Sequence, residues 1–221
     1  MSVAPFVTDT FTDTLGTSIL SHISDSGHSW IRHSASGALA DAAITDANRV
    51  RHNTGSKILI AYVNAIPAGW DYDVQVGVTY KTDIDQVIGP IVRCDTSVNT
   101  KLALVHRTNQ VTHHWEIQET IAGSTAQIGS STNQTLTADQ EYSAMLSPRG
   151  LAVSAFVDGI LVCSSPVATS VSGPGRPGIQ FNAPGTTATD TTSTHLDNFQ
   201  AANASPRMLL VPQSVNRAAV W

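Results

Sequence analysis

Between Tyr72 and Tyr80 the chain alternates without a break. Tyr72, Val74, Val76, Val78 and Tyr80 fall on one side, and Asp73, Gln75, Gly77 and Thr79 on the other. A period of two is the strand period, because successive side chains point to opposite faces. With one side apolar and one polar, it describes an antiparallel strand half buried in a sheet. The same period returns along most of the chain and predicts strands over 6–11, 29–33, 48–52, 57–64, 72–80, 86–94, 101–107, 113–120, 125–129, 141–146, 151–157, 160–164, 178–182 and 195–201. Gly- and Pro-rich breakers separate them, among them Ile66-Pro67-Ala68-Gly69 and Ser147-Pro148-Arg149-Gly150. No convincing amphipathic helix occurs. The best candidate, 37–46 (GALADAAITD), is Ala-rich and short, at most a turn of helix. Many short strands joined by tight turns imply an all-β, two-sheet sandwich. A length of 221 residues suits one such domain.

The sharpest local signal is LAVSAFVDGILVCSS, from Leu151 to Ser165. Asp158-Gly159 between two apolar runs specifies a two-residue hairpin, since a type I′ turn needs positive φ at both central residues. The register then pairs Val157 with Ile160, Phe156 with Leu161, Ala155 with Val162 and Ser154 with Cys163. Apolar pairs on both faces predict a central hairpin with little exposed surface, in which Asp158 only forms the turn.

This hairpin, the strand before it (Glu141-Tyr142-Ser143-Ala144-Met145), the Gly-rich loop and strand after it (Pro177-Gly178-Ile179-Gln180-Phe181) and the closing His195-Leu196-Asp197-Asn198-Phe199 together resemble the concanavalin A-like, laminin-G-like jelly roll. The opening Asp9-Thr10-Phe11 resembles the first strand of that fold, which pairs beside the last. The resemblance covers about 6–203. It implies an antiparallel two-sheet jelly-roll sandwich over 1–203; the stretch 204–221, which turns apolar again after Pro206, is read as a C-terminal arm. The family spans glycan-binding lectins, β-glucanases, adhesion modules and viral particle proteins, so the fold alone does not choose an activity.

Glycosidases of this superfamily need two carboxylates on one face of a strand. The nearest candidates, Glu116 and Glu119, have odd spacing and point to opposite faces. No nucleophile elbow, P-loop or dinucleotide fingerprint occurs, and a non-enzymatic chain is expected. His114 and Glu116 share a face and, with His106 on a nearby strand, make a weak metal set, since zinc needs three or four converging ligands. Trp115, on the other face, is expected in the core. Some lectins and laminin-G modules use Ca2+, and Asp9, Asp13, Asp197 and Asn198 lie near the pairing of first and last strands; they are the candidate ligands if there is a cofactor at all. Trp30, Tyr62, Trp70 and Tyr72 are candidates for stacking on a sugar. Trp70 leads, with Tyr72 and Tyr62 behind it, because it sits in a loop after Pro67 and Gly69. Cys94 and Cys163 are expected as two buried thiols.

Charged residues make up only 13% of the chain, about half the usual share, so the surface must be rich in hydroxyls and amides. The net charge of −5 and the scatter of the twelve Lys and Arg argue against nucleic acid. No apolar run approaches the length of a membrane span, and the first residues lack the pattern of a secretory signal. An extracellular surface chemistry without a visible export route suggests a virion component, made in a host cytoplasm. The leading expectation is therefore a structural protein of a bacteriophage particle, decorating the capsid or part of the tail, homo-oligomeric, contacting other virion subunits and binding host-surface glycan as a second role. Its arm, with Met208, Leu209, Leu210, Val211 and Trp221, either lies back on its own sandwich or docks on a neighbouring chain. The alternative is a stand-alone carbohydrate-binding, lectin-like module.

Overall fold

A computed structural model describes residues 4–37, 41–53, 58–81, 87–107, 113–132, 134, 136–182, 189 and 193–204. The arm residues Met208, Leu209, Leu210, Val211 and Trp221 lie outside the described residues. Those described form fifteen strands and one 3-10 turn at Ile19–Ser21. In chain order the strands are β1 (Val7–Asp9), β2 (Trp30–Arg32), β3 (Ala42–Ile44), β4 (Val50–His52), β5 (Ile58–Val63), β6 (Tyr72–Thr79), β7 (Val87–Cys94) and β8 (Lys101–Arg107). They continue with β9 (His114–Ile121), β10 (Ser124–Ser130), β11 (Glu141–Arg149), β12 (Ala152–Val157), β13 (Ile160–Ser164), β14 (Arg176–Asn182) and β15 (His195–Asn203). No helix among the described residues is long and apolar enough to cross a membrane.

The strands make two antiparallel sheets. One has eight strands in the order β13-β12-β11-β6-β15-β4-β3, with β1 also paired to β15. The other has seven, in the order β10-β9-β8-β7-β14-β5-β2. First and last strands pair as expected, Val7 opposite Ala201 and Asp9 opposite Phe199. The alternating side of β6, with Tyr72, Val74, Val76 and Val78, joins Trp115, Phe181, Phe199, Leu59 and Leu104 in the core between the sheets. Each large side chain buried there contributes roughly 1.5–3 kcal/mol.

Two local readings change. Residues 42–44 of the suspected helical stretch are strand β3, because β4 offers Ala42, Ala43 and Ile44 backbone partners at His52, Arg51 and Val50. The Asp158-Gly159 hairpin has both residues at positive φ, 50° and 77°, as the turn demands. Its first two pairs hold, but Val162 then bulges, so that Ala155 faces Cys163 and Ser154 faces Ser164. Nor is it central: β13 is the outermost strand of its sheet. Asp158 also does more than turn the chain. Its Oδ1 accepts the Ser143 N–H at 2.8 Å, and its own N–H donates to the Ser143 carbonyl, so the turn is fastened to β11.

A groove on the outer face of the seven-stranded sheet

Along β8 the residues Leu102, Leu104 and His106 turn inward, while Lys101, Ala103, Val105 and Arg107 turn outward. The outward side is buried nevertheless. Ile60, Tyr62, Val87, Ile91, Cys94, Ala103 and Val105 form a second apolar cluster, separate from the core between the sheets. β7 runs through its middle and is buried over its whole length. Its ladder to β8 opens opposite Gly89 and Pro90. Proline has no N–H to give, and a Cβ on Gly89 would stand 1.9 Å from the Leu104 carbonyl oxygen.

Beside this cluster the face opens into a groove of about 260 Å3. Its apolar part is Ile58, Ile60 and Val87; its polar part comes from Lys101, Arg107, Gln118, Thr120, Gln180 and Asn182 on three different strands, with Asn99 at one end. Lys101 Nζ donates to Asn99 Oδ1 at 2.8 Å and to Thr120 Oγ1 at 3.4 Å. Thr120 in turn shares a hydrogen bond of 3.0 Å with Thr125. Next to the groove Glu116 is held on three sides, by His114 Nε2 at 2.8 Å, Gln118 Nε2 at 3.1 Å and Arg107 Nε at 3.5 Å.

The sequence candidates fall elsewhere or apart. Glu116 and Glu119 do point to opposite faces: Glu119 receives the Thr169 hydroxyl and the N–H groups of Ser170 and Val171. His106 does not join His114 and Glu116. It faces the core, 4.9 Å from the Trp115 ring and 5.5 Å from that of Tyr80, and burial pulls its pKa down to about 3. Trp115 is buried, as expected. Tyr72 is fully buried, its hydroxyl oxygen accepting the Arg93 N–H at 2.5 Å, which removes it from any ligand's reach. Tyr62 belongs to the outer apolar cluster and is almost covered. Trp70 is 50% exposed. Its loop is pinned from beneath by the buried Arg93, which donates to the carbonyls of Trp70, Val171 and Gly150 and to Asp71.

The acids proposed for calcium are committed to the protein. Asp9 accepts the Trp30 indole N–H at 2.6 Å and the Phe11 N–H at 2.7 Å, and shares a 3.0 Å bond with His22. The other His22 nitrogen is 3.0 Å from Asp13. Burial works against a charged His22, but its bonds to Asp13 and Asp9 outweigh that and raise its pKa. Asp197 binds the Asn198 N–H, and Asn198 reaches Glu141. Among the described residues no three His, Cys, Asp or Glu are placed to hold a metal ion. Cys94 and Cys163 are free and buried; burial pushes their thiols up to about 12 and about 11, which leaves them inert.

The groove residues Lys101, Gln118, Thr120, Gln180 and Asn182 were not among the sequence candidates, because none stands in a motif that sets it apart from other polar strand positions. The available signal was KLALVHR itself: a strand apolar on both faces that begins and ends on a cation.

No family model matches the chain, and no curated protein matches it. Solved structures do. The carbohydrate binding module CBM66 from Bacillus subtilis superposes with a TM-score of 0.60 at 12% identity, over 79% of this chain and 95% of that one. The exoplasmic/lumenal domain of VIP36 in its Ca2+-bound form gives 0.59 at 10% identity, over 88% and 92%. The carbohydrate recognition domain of Emp46p in its potassium-bound form gives 0.55 at 9%, over 80% and 89%. At these identities the likeness establishes the fold, a lectin-like jelly roll.

Proposed function

We propose that the chain is a carbohydrate-binding module, which takes a short oligosaccharide into the groove on the outer face of the seven-stranded sheet. The carrying observation is the composition of that groove. An apolar strip beside a row of amides, hydroxyls and two cations fits a molecule whose rings have C–H faces and hydroxyl rims. From Lys101 to Arg107 the strand runs about 20 Å at about 3.3 Å per residue, room for several sugar rings in a row. Names given to two of the structural neighbours, a carbohydrate binding module and a carbohydrate recognition domain, support the same reading.

This is the alternative of the two functions raised by the sequence. The bacteriophage-particle reading draws no support from the neighbours, and its arm lies outside the described residues. Mass in solution, for the full chain and for one ending at Asn203, tests that reading separately. Calcium enters only through the Ca2+-bound VIP36 domain; the donors Asp9, Asp197 and Asn198 do not fit an ion in their present bonds, so none is assigned to binding.

The test is a glycan array followed by calorimetry on the best ligand. Gln180→Ala with Asn182→Ala is expected to weaken binding tenfold or more without moving the melting temperature. Trp70→Ala is expected to leave it unchanged. Loss of binding with Trp70→Ala alone would move the site to the loop pinned by Arg93, and a silent array would overturn the proposal.

A further inference from the structure

The groove is electrostatically odd for this chain. The protein carries a net charge of −5, yet among the described residues the groove is lined by Lys101 and Arg107 and by no carboxylate. Arg107 is neutralised from the side by Glu116. Lys101 is not: its two polar contacts, Asn99 Oδ1 and Thr120 Oγ1, are neutral, and no carboxylate among the described residues pairs with it. It is nevertheless only 4% exposed. A lysine that merely covered apolar surface would lay its stem there and extend its ammonium into water. A buried charge without a counter-charge destabilises the fold, so its retention points to a charge supplied from outside.

Given carbohydrate binding in this groove, we propose that its ligand is an acidic saccharide, whose carboxylate or sulfate ion-pairs with Lys101 beside Asn99 and Thr120. Asn99 and Thr120 then orient the ammonium, and Thr125, bonded to Thr120, braces that end. The remaining sugar rings run along β8 towards Gln118, Gln180 and Asn182. Burial lowers the Lys101 pKa to about 8, so the ion pair weakens in mild alkali, where an ordinary lysine would keep its charge.

Calorimetry with two matched pairs of probes tests this: trigalacturonate against its carboxyl-reduced form, and a sulfated galactan trisaccharide against its desulfated form. The full-length chain is expected to prefer the charged member of at least one pair tenfold or more at pH 7. Lys101→Met is expected to erase that preference, so that the charged and neutral members bind alike, while Lys101→Arg keeps the preference. In the wild type, which needs no variant to fold, the preference is expected to shrink between pH 7 and 9.5. Equal affinity for both members of both pairs overturns the inference and leaves the proposed function standing. Failure of every saccharide, charged or neutral, overturns both.

Discussion

His106 shows what one misplaced proton acceptor does to a sandwich core. Both its ring nitrogens are buried without a hydrogen-bond partner, and burial first, then the nearby His113 and His114, hold its pKa at about 3. The unfolded chain, with an ordinary histidine near 6.5, therefore binds the proton more readily. The stability tied to a neutral His106 is complete above about pH 6.5 and is lost as pH falls towards 3, by up to about 1.4 kcal/mol per pH unit. Asp197 runs the other way. Burial raises it to about 6, so its contribution is complete below its unfolded value and fades as pH rises through 6. Replacing His106→Phe isolates the first effect: urea midpoints at pH 7 and pH 4.5 are expected to differ less in the variant than in the wild type. An unchanged difference would mean that His106 does not carry the acid sensitivity. The alternation of KLALVHR marked His106 as lying on the Leu102 and Leu104 side. What it could not give were the neighbours: Tyr80 just after β6, His113 just before β9, and Trp115 in β9.

At the scale of elements, β13 is an edge strand with exposed apolar side chains. Ile160 is 70% and Leu161 56% exposed, on the outermost strand of its sheet and without the charges that normally guard an edge. Ile160→Lys is expected to raise the temperature at which light scattering sets in, while moving the unfolding free energy by no more than about 0.5 kcal/mol. A lower onset would show that the edge is not the aggregating surface. The hairpin's existence and turn type were legible because Asp158-Gly159 is a local, steric instruction. Its place at the rim was not, because rank in a sheet depends on the whole set of pairings: β12 pairs with β11, and among the described residues no strand pairs with the far side of β13. Strand β3 was hidden for the same reason: Ala42 to Ile44 has weak local preference and becomes strand by pairing with β4.

For the whole molecule, the core running between both sheets is built without the side chains of Asp9, Asp197 and Asn198, which are bonded within the protein. Adding a chelator is expected to leave the melting temperature and the affinity for the array's best saccharide unchanged; a drop in either would assign calcium a role that these donors do not show. The sequence by itself determined the strand content, the breakers and the hairpin turn, since period and turn sterics act between residues adjacent in the chain; the closure of the first strand on the last was implied only by the resemblance to the jelly roll. Only the tertiary structure decided that the outward side of β8 is buried, that Lys101, Gln118, Gln180 and Asn182 meet in one groove, and that Tyr72 is out of reach. Period two divides a strand into two faces without saying what covers either, and that depends on strands drawn in from far along the chain.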